Sequence, residues 1–153
     1  MPVDITPQGT RGRPFPRGRT ARLFIGLNTA VYRLLRGRGM ASRMLLLTTV
    51  GARSGLERTV PLAYFPDGPD AWLIIASAGG DARHPAWYRN LAAPPDRATI
   101  EVGGQRGRVR AESLHGPARE EPWARITATA KNFAEYQRST DREIPVIRLT
   151  RVE

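Results

Sequence analysis

Three short stretches of this chain concentrate the residue types that do chemistry. The first runs TTVGARSGLER from Thr48 to Arg58. Gly51 and Gly55 bound a loop that exposes backbone N–H groups, and Arg53 and Arg58 flank it. Oriented amides and guanidinium forks stabilise phosphate and carboxylate oxygens. The loop is not a P-loop, because its glycine spacing is wrong and the Lys-Ser/Thr pair is missing. The plainer reading is a hairpin turn with solvated arginines. The second stretch runs ASAGGDARHPAWYRNL from Ala76 to Leu91. An apolar run ends there in Gly79-Gly80, and a helix opens close by with Pro85 in its first turn. Glycine turns and helix starts let backbone donors approach a ligand closely. Trp87 offers an aromatic face, and Asn90 lies one turn further on the same side. Core packing for Trp87 and a capping role for His84 are the plainer alternatives. The third stretch runs NFAEYQRSTDREIPV from Asn132 to Val146. Phe133 and Tyr136 share a helix face there and suit a pocket wall or simple packing, with Asp141 and Arg142 capping or pairing nearby.

What is missing narrows the chemistry. The chain has no cysteine, which excludes disulfides, thiolate metal sites and thiol nucleophiles. With only His84 and His115 as histidines, a histidine-based metal site is not expected. No serine sits in a Gly-x-Ser-x-Gly elbow, no paired carboxylates occupy an apolar setting, and no dinucleotide fingerprint occurs. These residues describe a protein that holds an anionic, aromatic ligand and leaves the chemistry to that ligand.

The elements that must position them read as α+β. Residues 1–19 are rich in Pro, Gly and Arg without apolar periodicity, and read as a flexible basic arm ahead of a domain over 20–153. Phe24, Leu27, Val31, Leu34 and Leu35 recur at helical spacing, which predicts an amphipathic helix over Ala21–Arg36, capped by Thr20 and ended by Gly37 and Gly39. Strands are expected at Met44–Val50, Arg58–Phe65, Ala71–Ser77, Ala98–Val102, Gly107–Glu112 and Ile144–Val152. Pro61 puts the second near an edge or bulge. A short helix runs from Pro85 to Leu91 and closes at Pro94-Pro95. A longer one starts at Pro117 or Pro122 and reaches Phe133 or Tyr136. Six strands without βαβ alternation argue for a small antiparallel barrel with short peripheral helices.

At 153 residues this is one domain with one real core. Charge is distributed unevenly. Residues 1–43 carry nine arginines against Asp4 alone, whereas the remaining 15 basic and 13 acidic groups nearly cancel. The arm has no interleaved aromatics besides Phe15, so nucleic acid is not an expected partner. Basic ends around an apolar helix face suit an anionic membrane surface as well as simple core covering. Met1–Arg22 has no apolar signal core. The expectation is a cytoplasmic protein, peripheral at the inner face of the cell membrane.

At these residues the sequence resembles the deazaflavin-dependent nitroreductases, whose coenzyme is F420. The likeness covers about Ala21 to Val152. It is carried by Leu46–Arg58 (LLTTVGARSGLER), Pro61–Phe65, Ala76–Leu91 and Tyr136–Val146 (YQRSTDREIPV). The resemblance implies a split β-barrel of the flavin-binding kind. It implies that reduced F420, a polyanion with a deazaflavin ring, a phosphodiester and an oligoglutamate tail, gives hydride to a quinone-like or nitroaromatic acceptor. It assigns Arg53, Ser54, Gly55 and Arg58 to the phosphate and tail. Pro61, Ala76, Ser77, Ala78, Gly79, Gly80, His84, Trp87 and Asn90 fall to the ring and linker, and Tyr64, Phe133 and Tyr136 to the substrate side. Ser77, Tyr64 and Tyr136 are the implied catalytic groups, and no metal is implied. Family members often carry lysine where this chain has Ala78, so one cationic contact is absent. Coenzyme storage, or an FMN- or haem-binding barrel, are the alternatives. On this reading, removing residues 1–19 leaves coenzyme binding intact.

Overall fold

The computed structural model describes residues 3–36, 38–39, 43–93 and 97–152. Seven antiparallel strands form one curled sheet: β1 (Met44–Val50), β2 (Glu57–Ala63), β3 (Phe65–Pro66), β4 (Ala71–Ile75), β5 (Thr99–Val102), β6 (Gln105–Leu114) and β7 (Val146–Arg151). Their order is β2-β1-β5-β6-β7-β4-β3. The long strand β6 curls the sheet. Its first part, Gln105–Arg108, pairs with β5, and Val109–Leu114 pairs with β7. The β5–β6 hairpin turns on Gly103 (φ 59°) and Gly104 (φ 81°), the double left-handed conformation that a two-residue turn matched to strand twist requires.

Period-two alternation sorts the apolar residues. Leu45, Leu47, Trp72, Ile74, Val109 and Leu149 point into the main core. The intervening Leu73, Ile75, Leu114 and Val146 face the other way, where Ile126 and Phe133 cover them. These two come from α3 (Pro117–Thr129) and α4 (Lys131–Ser139). On the same principle Leu46 leaves the main core to meet Tyr32 of α1 (Gly18–Leu35). The Tyr32 hydroxyl donates to the Glu101 carbonyl at 3.0 Å, so α1 is fastened to the β1–β5 side of the sheet.

Several expectations change. The six strands are seven, because the chain breaks at Tyr64 as it passes from the β1 pairing to the β4 pairing. The fourth strand stops at Ile75, two residues before the expected end. Helix α1 begins at Gly18 with Arg17 as its flanking residue, so Thr20 lies inside it. It ends with Arg36 in the left-handed region (φ 53°); Gly37, like Pro94 and Pro95, lies outside the described residues. The single helix expected over Pro117–Tyr136 is two, parted where Ala130 leaves helical geometry (φ −117°, ψ 79°). The short helix α2 (Ala86–Ala92) starts one residue after Pro85.

Residues 3–17, read from composition as a flexible arm, lie against the domain. Val3 is buried in the main core. The Tyr88 hydroxyl donates to the Asp4 carbonyl. The N–H groups of Gly9 and Arg13 donate to the carbonyls of Ala82 and Gly80 at 2.8 and 2.9 Å. The segment is held through backbone groups and a few isolated side chains such as Val3, and no apolar period signals that.

Candidate functional site

The turn after β4 is tightly constrained. Ala78, Gly79 and Gly80 are all left-handed (φ 44°, 63° and 89°), and the Gly80 N–H closes the turn on the Ser77 carbonyl at 2.9 Å. Alanine in that region costs on the order of 1 kcal/mol, so the surroundings must hold it. They do so through Arg142, which is only 3% exposed. Its guanidinium donates to the carbonyls of Asp81 (2.8 Å), Ala76 (3.1 Å) and Ser77 (2.7 Å). A further donor meets His84 Nδ1 at 3.2 Å. Arginine is always a donor, so Nδ1 accepts and His84 carries its proton on Nε2. That N–H donates to the Thr6 carbonyl at 2.7 Å. Burial, and the adjacent Arg142 charge, pull the His84 pKa down, although the Thr6 bond pulls the other way. Burial raises the Asp81 carboxyl, but N–H donors from Arg83 and Phe15 and the nearby Arg17 and Arg83 charges outweigh it, and the pKa falls below its usual value.

Against this background the predicted residues fall into two groups. Ser77 is buried, yet among the described residues its hydroxyl has no hydrogen-bond partner and stays available to a ligand. His84 is committed to Arg142 and Thr6, and Trp87 is packed in the main core edge-on to Tyr88. These two hold α2 and the turn; neither presents a free face. Ala76 is fully buried and contributes its carbonyl to Arg142. Sequence reading gives Arg142 only a capping or pairing role, because an arginine in the mixed-charge run STDRE looks like any solvated one.

The β1–β2 turn is built differently. Gly51 and Leu56 pair through the Gly51 N–H at 2.7 Å, and the Gly55 N–H returns to Gly51. The Ser54 hydroxyl accepts from the Leu56 N–H at 3.2 Å. The Ala52 N–H donates to Asn90 Oδ1 at 3.1 Å. The loop amides expected to greet an anion are thus largely used within the protein. What remains is charge: Arg53 and Arg58 are exposed, and neither has an acidic partner among the described residues. Asn90 also donates from Nδ2 to the buried Thr49 hydroxyl at 3.3 Å. It therefore ties this turn to α2, which follows directly from the Ser77–Asp81 turn. Pro61 sits within β2 opposite Leu46, half-buried.

The third stretch meets the second through Gly80. A Cβ there would lie 3.0 Å from the Tyr136 carbonyl oxygen, so α4 presses on the glycine turn. Phe133 is a core residue, edge-on to Phe65 (5.9 Å) and to half-buried Tyr136 (5.8 Å). Tyr64 packs with the main core instead, and the structure does not gather the three aromatics into one cluster. A shallow indentation between Trp72, Ile100, Arg108 and Arg151 includes none of the predicted residues.

The fold is an antiparallel half-barrel that carries two exposed arginines without an acidic partner among the described residues at one glycine turn and an uncommitted hydroxyl at another. Residues 25–151 match the family model of F420H(2)-dependent quinone reductase, and the chain belongs to that family. It is 43% identical over 133 residues to the F420H(2)-dependent quinone reductase Rv1261c of Mycobacterium tuberculosis, covering 82% of this chain and 88% of the relative. A solved structure of an F420-H2 dependent reductase, FDR-A, superposes with a TM-score of 0.63 at 37% identity, over 70% of this chain and 93% of that one. An FAD-binding protein from Mesorhizobium loti, 13% identical with a TM-score of 0.50, covers 82% of this chain and 88% of its own length and shares the fold alone.

Proposed function

We propose that this chain transfers hydride from reduced F420 to a quinone, with Arg53 and Arg58 receiving the anionic part of the coenzyme and the Ser77–Gly80 turn receiving the ring. The observation that carries this reading is the pair of exposed arginines without an acidic partner, Arg53 and Arg58, on a hairpin that Asn90 of α2 ties down through the Ala52 N–H and the Thr49 hydroxyl. A set of free guanidinium groups beside an uncommitted hydroxyl suits a polyanion better than a neutral or metal-centred group. Among the described residues, no cluster of metal-ligating side chains occurs.

When bound, reduced F420 supplies a hydride from a ring carbon. The protein's part is orientation and electrostatics. The Ser77 hydroxyl donates to the acceptor or ring carbonyl and stabilises the charge that develops on it. Reduction of a quinone carbonyl by hydride leaves an oxyanion, and the hydroxyl of Tyr136 or Tyr64, or a water, delivers the balancing proton. A nitroaromatic is a second acceptor of the same two-electron, one-proton chemistry.

Helix α1 supports contact with a bilayer surface. Leu23, Phe24, Leu27, Val31 and Leu34 are exposed along one strip, Leu34 by 82%. Arg19, Arg22, Arg33 and Arg36 accompany them. No helix among the described residues is long and apolar enough to cross a membrane, so the contact would be peripheral, with the basic groups toward anionic headgroups. Such a position brings the site to an acceptor dissolved in lipid.

Turnover of reduced F420 with menadione, followed by the rise in absorbance of the reoxidised coenzyme, tests the reaction; a nitroaromatic forms a separate arm. Oxidation with menadione is expected, and none with either acceptor despite bound coenzyme would leave the storage alternative. Flotation with vesicles containing anionic lipid tests the surface: co-flotation is expected, and Leu27→Glu with Leu34→Glu should abolish it.

A further inference from the structure

We infer that residues 9–17 form a strap that completes the coenzyme site, with Arg13 and Arg17 as additional binding groups for the anionic part of the coenzyme. The inference rests on the F420 reading above.

The strap is seated on the very turn that carries Ser77. Arg13 donates its N–H to the Gly80 carbonyl at 2.9 Å, and Phe15 donates its N–H to Asp81 Oδ2 at the same distance. The Phe15 ring lies over Gly79, 3.0 Å from where a Cβ would stand. The approach is too close for any side chain at Gly12, whose Cβ would meet Ala82 N at 2.4 Å and Gly80 O at 2.5 Å. A segment that merely trails past the domain does not require glycine at its point of nearest approach. Upstream, both the N–H and the hydroxyl of Thr10 donate to the Asp141 carboxylate, on the far side of the same turn.

Docking in this way brings cations that the protein itself neutralises only in part. Asp4 is the one acid among residues 1–43. Arg17 reaches Asp81 only at 3.8 Å and is half exposed, and the Arg13 guanidinium has no partner among the described residues. The Arg13 guanidinium, on a residue fixed by its backbone bond to Gly80, and the half-exposed Arg17, whose acidic contact is the long one to Asp81, form an anion site of the same chemistry as Arg53 and Arg58. The strap precedes residues 25–151 that match the family model, so this contribution lies outside the matched region. It also reverses the expectation that residues 1–19 are dispensable for coenzyme binding.

Equilibrium titration with F420 tests this on the full chain, on Arg13→Gln/Arg17→Gln and on Gly12→Val, at low and high salt. Two screened ion pairs predict a dissociation constant raised about tenfold in the double variant at low salt, with the gap narrowing at high salt. Gly12→Val should weaken binding similarly and speed tryptic cleavage within residues 11–19, because it lifts the strap off the turn. Thermal melts of both variants report whether the domain is intact. If the full chain binds F420 and both variants bind equally well, the strap inference is overturned and the F420 reading stands. If the full chain itself fails to bind, both are overturned.

Discussion

Two glycine turns form the candidate rim, and they are built on opposite plans. The β1–β2 turn closes most of its hydrogen bonds within Gly51–Leu56, with one tie from Ala52 to Asn90, and its arginines are left to solvent. The Ser77–Asp81 turn is held from outside, by Arg142 beneath, by α4 at Gly80 and by the N-terminal strap above. One turn contributes charge and the other contributes geometry. Charge at a solvated rim can change with little effect on folding, whereas geometry set by a buried cation cannot.

The largest expected contrast is between the arginines of the two turns. Arg142→Met removes the donor for three carbonyls and His84, and should lower stability by about 3 kcal/mol or more, since each buried acceptor left unpaired costs about 1–3 kcal/mol. Arg53→Ala should fall within about 0.5 kcal/mol of the parent. Urea denaturation of both variants checks the pair, and equal losses would break the distinction. Next in size is the contrast between glycines. Gly80→Ala adds a Cβ 3.0 Å from the Tyr136 carbonyl at φ 89°, and about 2–3 kcal/mol is expected from strain and contact together. Gly55→Ala meets open space at φ 69°, so only the left-handed penalty of about 1 kcal/mol applies.

A smaller effect is the pH response of the held turn. Burial lowers the His84 pKa in the folded state from the ordinary 6.5, so the unfolded chain binds the proton more readily. Stability from this group is therefore complete above about 6.5 and declines as pH falls below it. Denaturation midpoints between pH 8 and pH 5 should drop in the parent, and His84→Gln should flatten that part of the curve. Asp141, held at about 2 chiefly by the Thr10 hydroxyl, acts in a separate window. Its contribution is complete above the ordinary 3.8 and fades only toward pH 2, so strap docking should persist where the His84 effect is already visible.

The sequence was most legible where side-chain pattern and structure coincide. Strand β1 matches its expected limits because a seven-residue apolar run has one way to be buried in a sheet. The Gly103-Gly104 hairpin follows from turn chemistry. Residue types marked the two glycine turns and Asn90, and Asn90 bonds to the first of these turns. What stayed hidden depends on contacts between distant residues. The strap meets the turn through backbone groups that no residue pattern encodes, and Arg142 is distinguished from its charged neighbours only by burial. Trp87, for which the sequence offers both a ligand face and core packing, packs in the main core.

The most direct test of the charged rim is a salt series of F420 titrations on the parent and on Arg53→Ala/Arg58→Ala. The account predicts saturable binding in the parent that weakens as salt rises, and in the double variant a dissociation constant raised about tenfold, with a shallower salt slope. Binding that ignores both salt and the two arginines would contradict it.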